Sequence, residues 1–310
     1  MESLNRTALE LVDEALEFAE ELDVGARELA NGATVLDFGV EFTGGLEAGM
    51  LLAEIQSAGL ATVQSRIEEL DGTPISHVEL TTDQPGLALL GAQKTGWEVS
   101  VDEYEALGSG PARALVAEET IFDRLGYTDV SEFAVLALES EALPTADVAE
   151  HVAERSNVEA GSVFLPTYPT ASLAGSVTVA ARAPELAAFR LAELGYDPTK
   201  IVSASGVAPV APVAGDEETA LARTNDALAY GGQVHLVVED DFDRFDEIPS
   251  SAGEEYGEPF YDIFDAADWD FYDLPEDVFA PAQVTIDVLE GPTYALGERD
   301  EELVAESFGL

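Results

Sequence analysis

Apolar residues recur at helical spacing near the start of the chain. Ala8, Leu11, Val12, Ala15, Ala19 and Leu22 form one stripe, which predicts a helix over 7–22. Thr7 and Glu10 stand at capping-box spacing at its start. The period then shortens to two: residues 33–40 (ATVLDFGV) read as a strand leaving a tight turn at Asn31-Gly32. Residues 46–56 (LEAGMLLAEIQ) follow Thr43-Gly44-Gly45 and read as a helix entered through a turn. Residues 61–82 predict two strands about Asp71-Gly72, and Pro85-Gly86 breaks the pattern. Strands are then expected at 97–102 and 132–140, with a helix over 144–156.

The second half repeats this mixture. Val163 to Leu165 read as a strand, followed by a Gly/Ser-rich run, PTASLAGSV. A helix should begin near Pro184, because proline fits only the first helical turn, and Gly195 is a natural stop. A strand run from Lys200 is punctuated by Pro209 and Pro212; a helix over 216–230 and a strand over 233–239 follow. The tail alternates aromatic and acidic residues over 258–274, then predicts a strand near 281–289 and a short terminal helix. Helices and strands mixed in this way give an α+β chain, expected to form two α+β subdomains, 1–165 and 166–310, with segments free to cross over.

Composition changes the picture in one respect. The chain of 310 residues carries 63 Asp plus Glu against 13 Lys plus Arg, a formal net charge of -50. Disorder would also require low hydrophobicity, yet 46% of the residues are hydrophobic. A folded core under an acidic skin is therefore expected. At molar salt the Debye length falls to about 3 Å, which screens most of the self-repulsion. The surface reads as an adaptation to a salt-saturated cytoplasm, and it excludes the basic footprint of nucleic-acid binding. With no cysteine, disulfides and Cys-based zinc sites are excluded. The first residues lack a signal-peptide pattern, and no apolar run approaches the ~20 residues of a membrane span. The expectation is a cytoplasmic protein.

Candidate chemistry is sparse. His77, His151 and His235 show no metal-ligand spacing, and the acidic run 239–247 lacks the glycine and terminal glutamate of a calcium loop. No metal site is expected. Ser109 sits between glycines, but there is no GxSxG elbow and no assignable histidine partner. Two stretches remain. ALGSGPARAL (106–115) reads either as a strand-to-helix turn or as a loop in which Ser109, Arg113 and backbone N–H groups meet an anion. Gly108 and Gly110 would let that backbone approach a ligand, and Lys94 is a second cation kept in a Gly-rich loop. At the other stretch, Arg182 falls just outside a helix and Glu185 in its first turn. That spacing fits a surface ion pair, or a general base whose charge state an arginine sets.

Eight motifs occur in order: GAQKTGW, ALGSGPARAL, PTASLAGSV, ARAPELA, GVAPVAP, TNDALAYGGQVHL, IPSSAGEEYGEPFYDIF and VFAPAQV. Together they resemble the methenyltetrahydromethanopterin cyclohydrolases over nearly the whole chain, in a halophilic form. The resemblance implies an α+β subunit with an active-site cleft between its two parts, assembled as a homotrimer. It implies reversible hydrolysis of the methenyl bridge of a reduced pterin to its formyl derivative, without metal or redox cofactor. The family's R-x-x-E arrangement falls on Arg182 and Glu185, with Pro184 where an ordinary apolar residue is expected. Glu185 is then the base on water and Arg182 its tuner. Lys94, Gly108, Ser109, Gly110 and Arg113 are the substrate-binding candidates. Three alternatives stay open at this level: the same chemistry on methenyltetrahydrofolate, a pterin-binding protein without activity, and a purely structural acidic protein.

Overall fold

The computed structural model describes residues 3–269, 274–275 and 278–310. The chain starts with α1 (Leu4–Glu17), β1 (Gly25–Glu28), β2 (Thr34–Asp37) and α2 (Leu46–Gln56). A long hairpin of β3 (Thr62–Leu70) and β4 (Thr73–Thr82) leads to a π-helix over Gly86–Gln93. Then come β5 (Trp97–Val101), β6 (Tyr104–Ser109), α3 (Ala112–Val116), α4 (Thr120–Leu125), β7 (Ala134–Val135), β8 (Ala137–Glu139), α5 (Ala146–Ser156) and β9 (Val163–Tyr168). The rest comprises α6 (Leu173–Ala180), α7 (Ala183–Glu193), β10 (Ile201–Pro209), α8 (Glu217–Gly231), β11 (Gln233–Val238), α9 (Phe260–Ala266), β12 (Gln283–Val288), β13 (Thr293–Gly297) and α10 (Glu301–Phe308). The fold class is α+β, as expected from the alternating patterns.

The chain separates into two units, 1–62 with 86–178, and 63–85 with 179–310. The hairpin β3–β4 groups with the second unit although it lies early in sequence, and the later division falls inside α6 rather than at 165/166.

The first unit is built on a mixed sheet of order β1-β2-β9-β8-β6-β5, with β7 also pairing β9. Strands β2, β9 and β8 run parallel, and the outer pairings are antiparallel. One face packs Val35, Trp97, Leu136, Leu138 and Leu165 against Val148 and Val152 of α5. The other packs Leu36, Phe38 and Tyr168 against Ala8 and Val12 of α1 and Leu52 and Ile55 of α2. Burial on both faces explains the unbroken apolar stretch 133–138 within the strand expected at 132–140. The second unit holds the sheet β13-β12-β11-β10-β4-β3, antiparallel except where β11 meets β12. Its helical side buries Tyr230, Phe260, Phe264, Val304 and Phe308. Among the described residues, no helix is long and apolar enough to cross a membrane.

Several local expectations change, the first at the far end of α1, which stops at Glu17 and not at 22. Helix α1 starts at Leu4 because Ser3 caps it, its Oγ accepting from Arg6 N–H. Thr7 is not a cap; its hydroxyl donates to Ser3 O at 3.2 Å. The break expected at Pro85-Gly86 opens a π-helix, whose wide turn is closed by Lys94 N–H donating to Leu89 O five residues back at 2.7 Å. Much of the Gly/Ser-rich run is helix α6: Ser172 Oγ accepts from Gly175 N–H at 2.9 Å. The small residues there serve packing, since a Cβ on Gly175 would lie 2.1 Å from Pro169 O. The strand of 132–140 is split at Leu136 into β7 and β8. The hairpin turn holds as read, with Asp71 and Gly72 both at positive φ (44° and 76°), the signature of a type I′ turn. Part of the alternating tail, 270–273, lies outside the described residues.

Candidate active site

Helix α7 positions the two catalytic candidates. Arg182 is its N-cap residue, Pro184 lies within the first two helical positions and Glu185 is in the first turn. Proline is tolerated there because the first helical N–H groups have no intrahelical acceptor. The turn lies close to the sheet: a Cβ on Gly206 of β10 would fall 2.8 Å from Pro184 Cδ and 3.1 Å from Gln233 O. Glycine at 206 therefore lets α7 begin hard against the strand.

Arg182 Nε donates to Glu185 Oε2 at 3.3 Å. The residues are 9% and 2% exposed, respectively. Burial removes the surface-pair reading, because an exposed pair contributes little while a buried one is held in place by the cost of stranding either charge. A carboxylate shielded from bulk water beside one guanidinium can accept a proton and return it.

The other candidates belong to the first unit and fall into two groups. Ser109, at the end of β6, is 1% exposed, and its Oγ accepts from Gln56 Nε2 at 2.9 Å. Gln56 also donates to Tyr168 OH at 3.1 Å and accepts from Thr178 Oγ1 at 2.7 Å. Gly108 has a packing reason, since a Cβ there would lie 2.9 Å from Trp97 O. Gly110 has a conformational one, with φ at +118°.

Lys94 and Arg113 form the second group, through Glu119. Arg113 Nε and Nη2 donate to the two Glu119 oxygens, both at 2.8 Å. Its Nη1 and Nη2 reach Leu90 O at 3.3 Å, and Nη1 reaches Ala92 O at 3.1 Å. All five guanidinium N–H groups are thus engaged within the unit, and the residue is 2% exposed. The expectation that Arg113 meets a substrate anion finds no support in this geometry. Lys94 Nζ donates to Thr95 O at 3.1 Å and to Glu119 Oε2 at 3.3 Å. Burial pushes the Glu119 carboxyl up, but the hydrogen bonds and charges of Arg113 and Lys94 outweigh it and hold it below its ordinary value.

Sequence reasoning missed Glu119, Gln56 and Asn5. Asn5 donates to Pro111 O at 2.8 Å, fixing the glycine loop from the side of α1. Gln56 leaves a signal, a buried polar residue ending an apolar helix. Glu119 leaves none, because its partners meet it only through the path of the intervening chain.

Comparison with known proteins extends over the whole chain. The family model described as "Cyclohydrolase (MCH)" matches residues 3–308. A Halobacterium salinarum protein named methenyltetrahydromethanopterin cyclohydrolase is 63% identical over 310 residues, covering 100% of both chains. Proteins of the same name from Methanothermobacter marburgensis and Methanocaldococcus jannaschii are 41% and 40% identical. Those alignments cover all of this chain and, respectively, 100% and 99% of the relative.

Proposed function

The chain belongs to the methenyltetrahydromethanopterin cyclohydrolase family, and we infer from that membership that it is a hydrolase opening the cyclic amidine of a methenyl-bearing tetrahydromethanopterin. The product is the 5-formyl derivative, and the reaction is reversible. The observation that carries the catalytic assignment is the buried Arg182–Glu185 pair at the start of α7.

The methenyl carbon is part of a cationic amidinium and is already electrophilic. It requires a positioned water and a base, so no metal or redox cofactor is assigned a role. Glu185 takes a proton from the water as its oxygen attacks the carbon. The C–N bond of the resulting carbinolamine then breaks, and the departing nitrogen takes the proton from Glu185. The hydroxyl proton leaves to solvent, so each hydrolysis releases one proton. The carboxylate also offsets the substrate's positive charge, and Arg182 holds it in place. Lys94 is assigned to an anionic group of the carrier, and Ser109 and the backbone of Gly108 and Gly110 to the glycine loop joined to it through Gly96 N–H and Gly108 O. We further propose a cytoplasmic homotrimer, supported by the family resemblance and the acidic surface.

Loss of the methenyl absorbance in molar KCl tests the reading. Glu185→Gln keeps the shape and removes the base, so turnover should fall on the order of 10²–10⁴-fold. Near-wild-type turnover would remove Glu185 from the mechanism. Preference for methenyltetrahydrofolate in the same assay would keep the chemistry and change the carrier.

A further inference from the structure

Lysine is a poor fixed ligand by itself. Its ammonium is a point charge on a flexible four-carbon stem, and ordering that stem on binding costs affinity. Lys94 leaves the C-terminal end of the π-helix, where the backbone is wide and its carbonyls are shared with other donors. Arg113 stitches that end together through Leu90 O and Ala92 O. The same guanidinium grips both oxygens of Glu119, and one of them, Oε2, also accepts from Lys94. A buried arginine thus fixes a carboxylate, and the carboxylate fixes a lysine.

Gly96 belongs to this arrangement. A Cβ at that position would lie 2.4 Å from Glu119 Oε2. The carboxylate oxygen that holds Lys94 occupies the space left by the missing side chain. Gly96 N–H is meanwhile tied to Gly108 O at 3.2 Å, linking the turn to the glycine loop.

We propose that Glu119, seated over Gly96 and locked by Arg113, is a positioning residue that presents the Lys94 ammonium to the anionic group of the carrier. The inference rests on the reading of Lys94 given above. The three side chains together carry one net positive charge, Arg113 being neutralised by Glu119. Electrostatics alone gives the opposite prediction. Removing the Glu119 charge would raise the local charge by one and tighten an anion, whereas loss of positioning weakens it.

Steady-state kinetics on methenyltetrahydromethanopterin in molar KCl separates the two. Glu119→Gln, Glu119→Asp and Gly96→Ala should each raise KM about 3- to 10-fold. Their kcat should stay within roughly twofold of wild type, as for a loss of binding shared by ground and transition state. Glu119→Asp and Gly96→Ala keep every charge, so they decide the matter if Glu119→Gln leaves Arg113 stranded and does not fold. In a Lys94→Met background, the effect of Glu119→Gln on KM should vanish while its effect on thermal stability persists. Unchanged or lowered KM in the Glu119 and Gly96 variants, with KM raised in Lys94→Met, overturns the inference alone. Unchanged KM in Lys94→Met overturns the reading of Lys94 and the inference with it.

Discussion

Glu185 and Asp226 are both carboxyls buried in the second unit, and their neighbours set them apart. Glu185 has a guanidinium at 3.3 Å. Asp226, on α8, is hydrogen-bonded by Ser307 Oγ at 2.6 Å and Phe260 N–H at 2.9 Å, both neutral donors. Burial pushes the Asp226 carboxyl up from 3.8 to about 6. Its folded-state value is therefore above its unfolded one, so the native state holds the proton more tightly between those values. The Asp226 contribution to stability should fall as pH rises from about 4 to about 6, by about 3 kcal/mol in all, and that penalty should persist at neutral pH. Asp226→Asn can keep both hydrogen bonds, with its amide oxygen towards Phe260 and its NH₂ towards Ser307. Denaturant unfolding at pH 7 should find it more stable than wild type, with the gap closing towards pH 4. A gap that does not change with pH would show that Asp226 does not titrate in this window. The Arg182–Glu185 pairing was legible at this scale because it is local, three residues apart and marked by Pro184; its burial was not.

Among the elements, α1 shows how far a cap and a single side chain can move a boundary. Its stripe was readable, but Ser3 starts it three residues early and Asn5 anchors it. The Asn5 amide donates to Pro111 O and Asp129 Oδ2, both at 2.8 Å, and accepts from Val135 N–H at 2.9 Å. Asn5→Ala would leave the buried Val135 N–H without this partner and take one hydrogen bond each from Pro111 O and Asp129 Oδ2, which keep Ala114 N–H and Ser3 Oγ, at a cost of about 3 kcal/mol. A clearly lowered unfolding midpoint in molar KCl is expected, and an unchanged one would show that α1 docks by its apolar face alone. Burial pushes the Asp129 carboxyl up, but hydrogen bonds from Asn5, Ser3 and Tyr127 outweigh it and hold it below its ordinary value. That contribution is present above pH 4 or so and is lost as pH falls through the depressed value. The π-helix of 86–93 and helix α6 were not legible as such. Pro85-Gly86 and a Gly/Ser run are breakers by propensity, and only tertiary contacts make them helical.

For the molecule as a whole, the net charge of -50 sets the conditions under which any of this holds. Exposed ion pairs such as Arg155–Glu118 and Arg299–Glu301 do little to offset it and are screened in salt. The buried grips of Arg113 and Arg182 are screened much less. Lowering the salt should therefore strain the acidic surface while leaving those sites intact until the units unfold. Dialysis into low salt should abolish activity together with native near-UV signal and oligomeric state. Full activity and unchanged size after dialysis would contradict that account.

The amino-acid sequence by itself determined what is local or summed over the chain. Hydrophobic period placed most helices and strands, charge count gave the surface, and Arg182-Ala183-Pro184-Glu185 gave a helix start with a carboxylate in its first turn. Motif order gave the family resemblance. Tertiary structure decided what depends on distant residues meeting. It turned a possible surface pair into a buried one, assigned the β3–β4 hairpin to the second unit, and gave Gly96, Gly108, Gly175 and Gly206 their reasons. It also set Glu119 between Arg113 and Lys94. The physical cause is that burial and hydrogen-bond partnership are properties of the neighbourhood, and residues such as 5 and 111, or 56 and 109, become neighbours only when the sheets close over their helices.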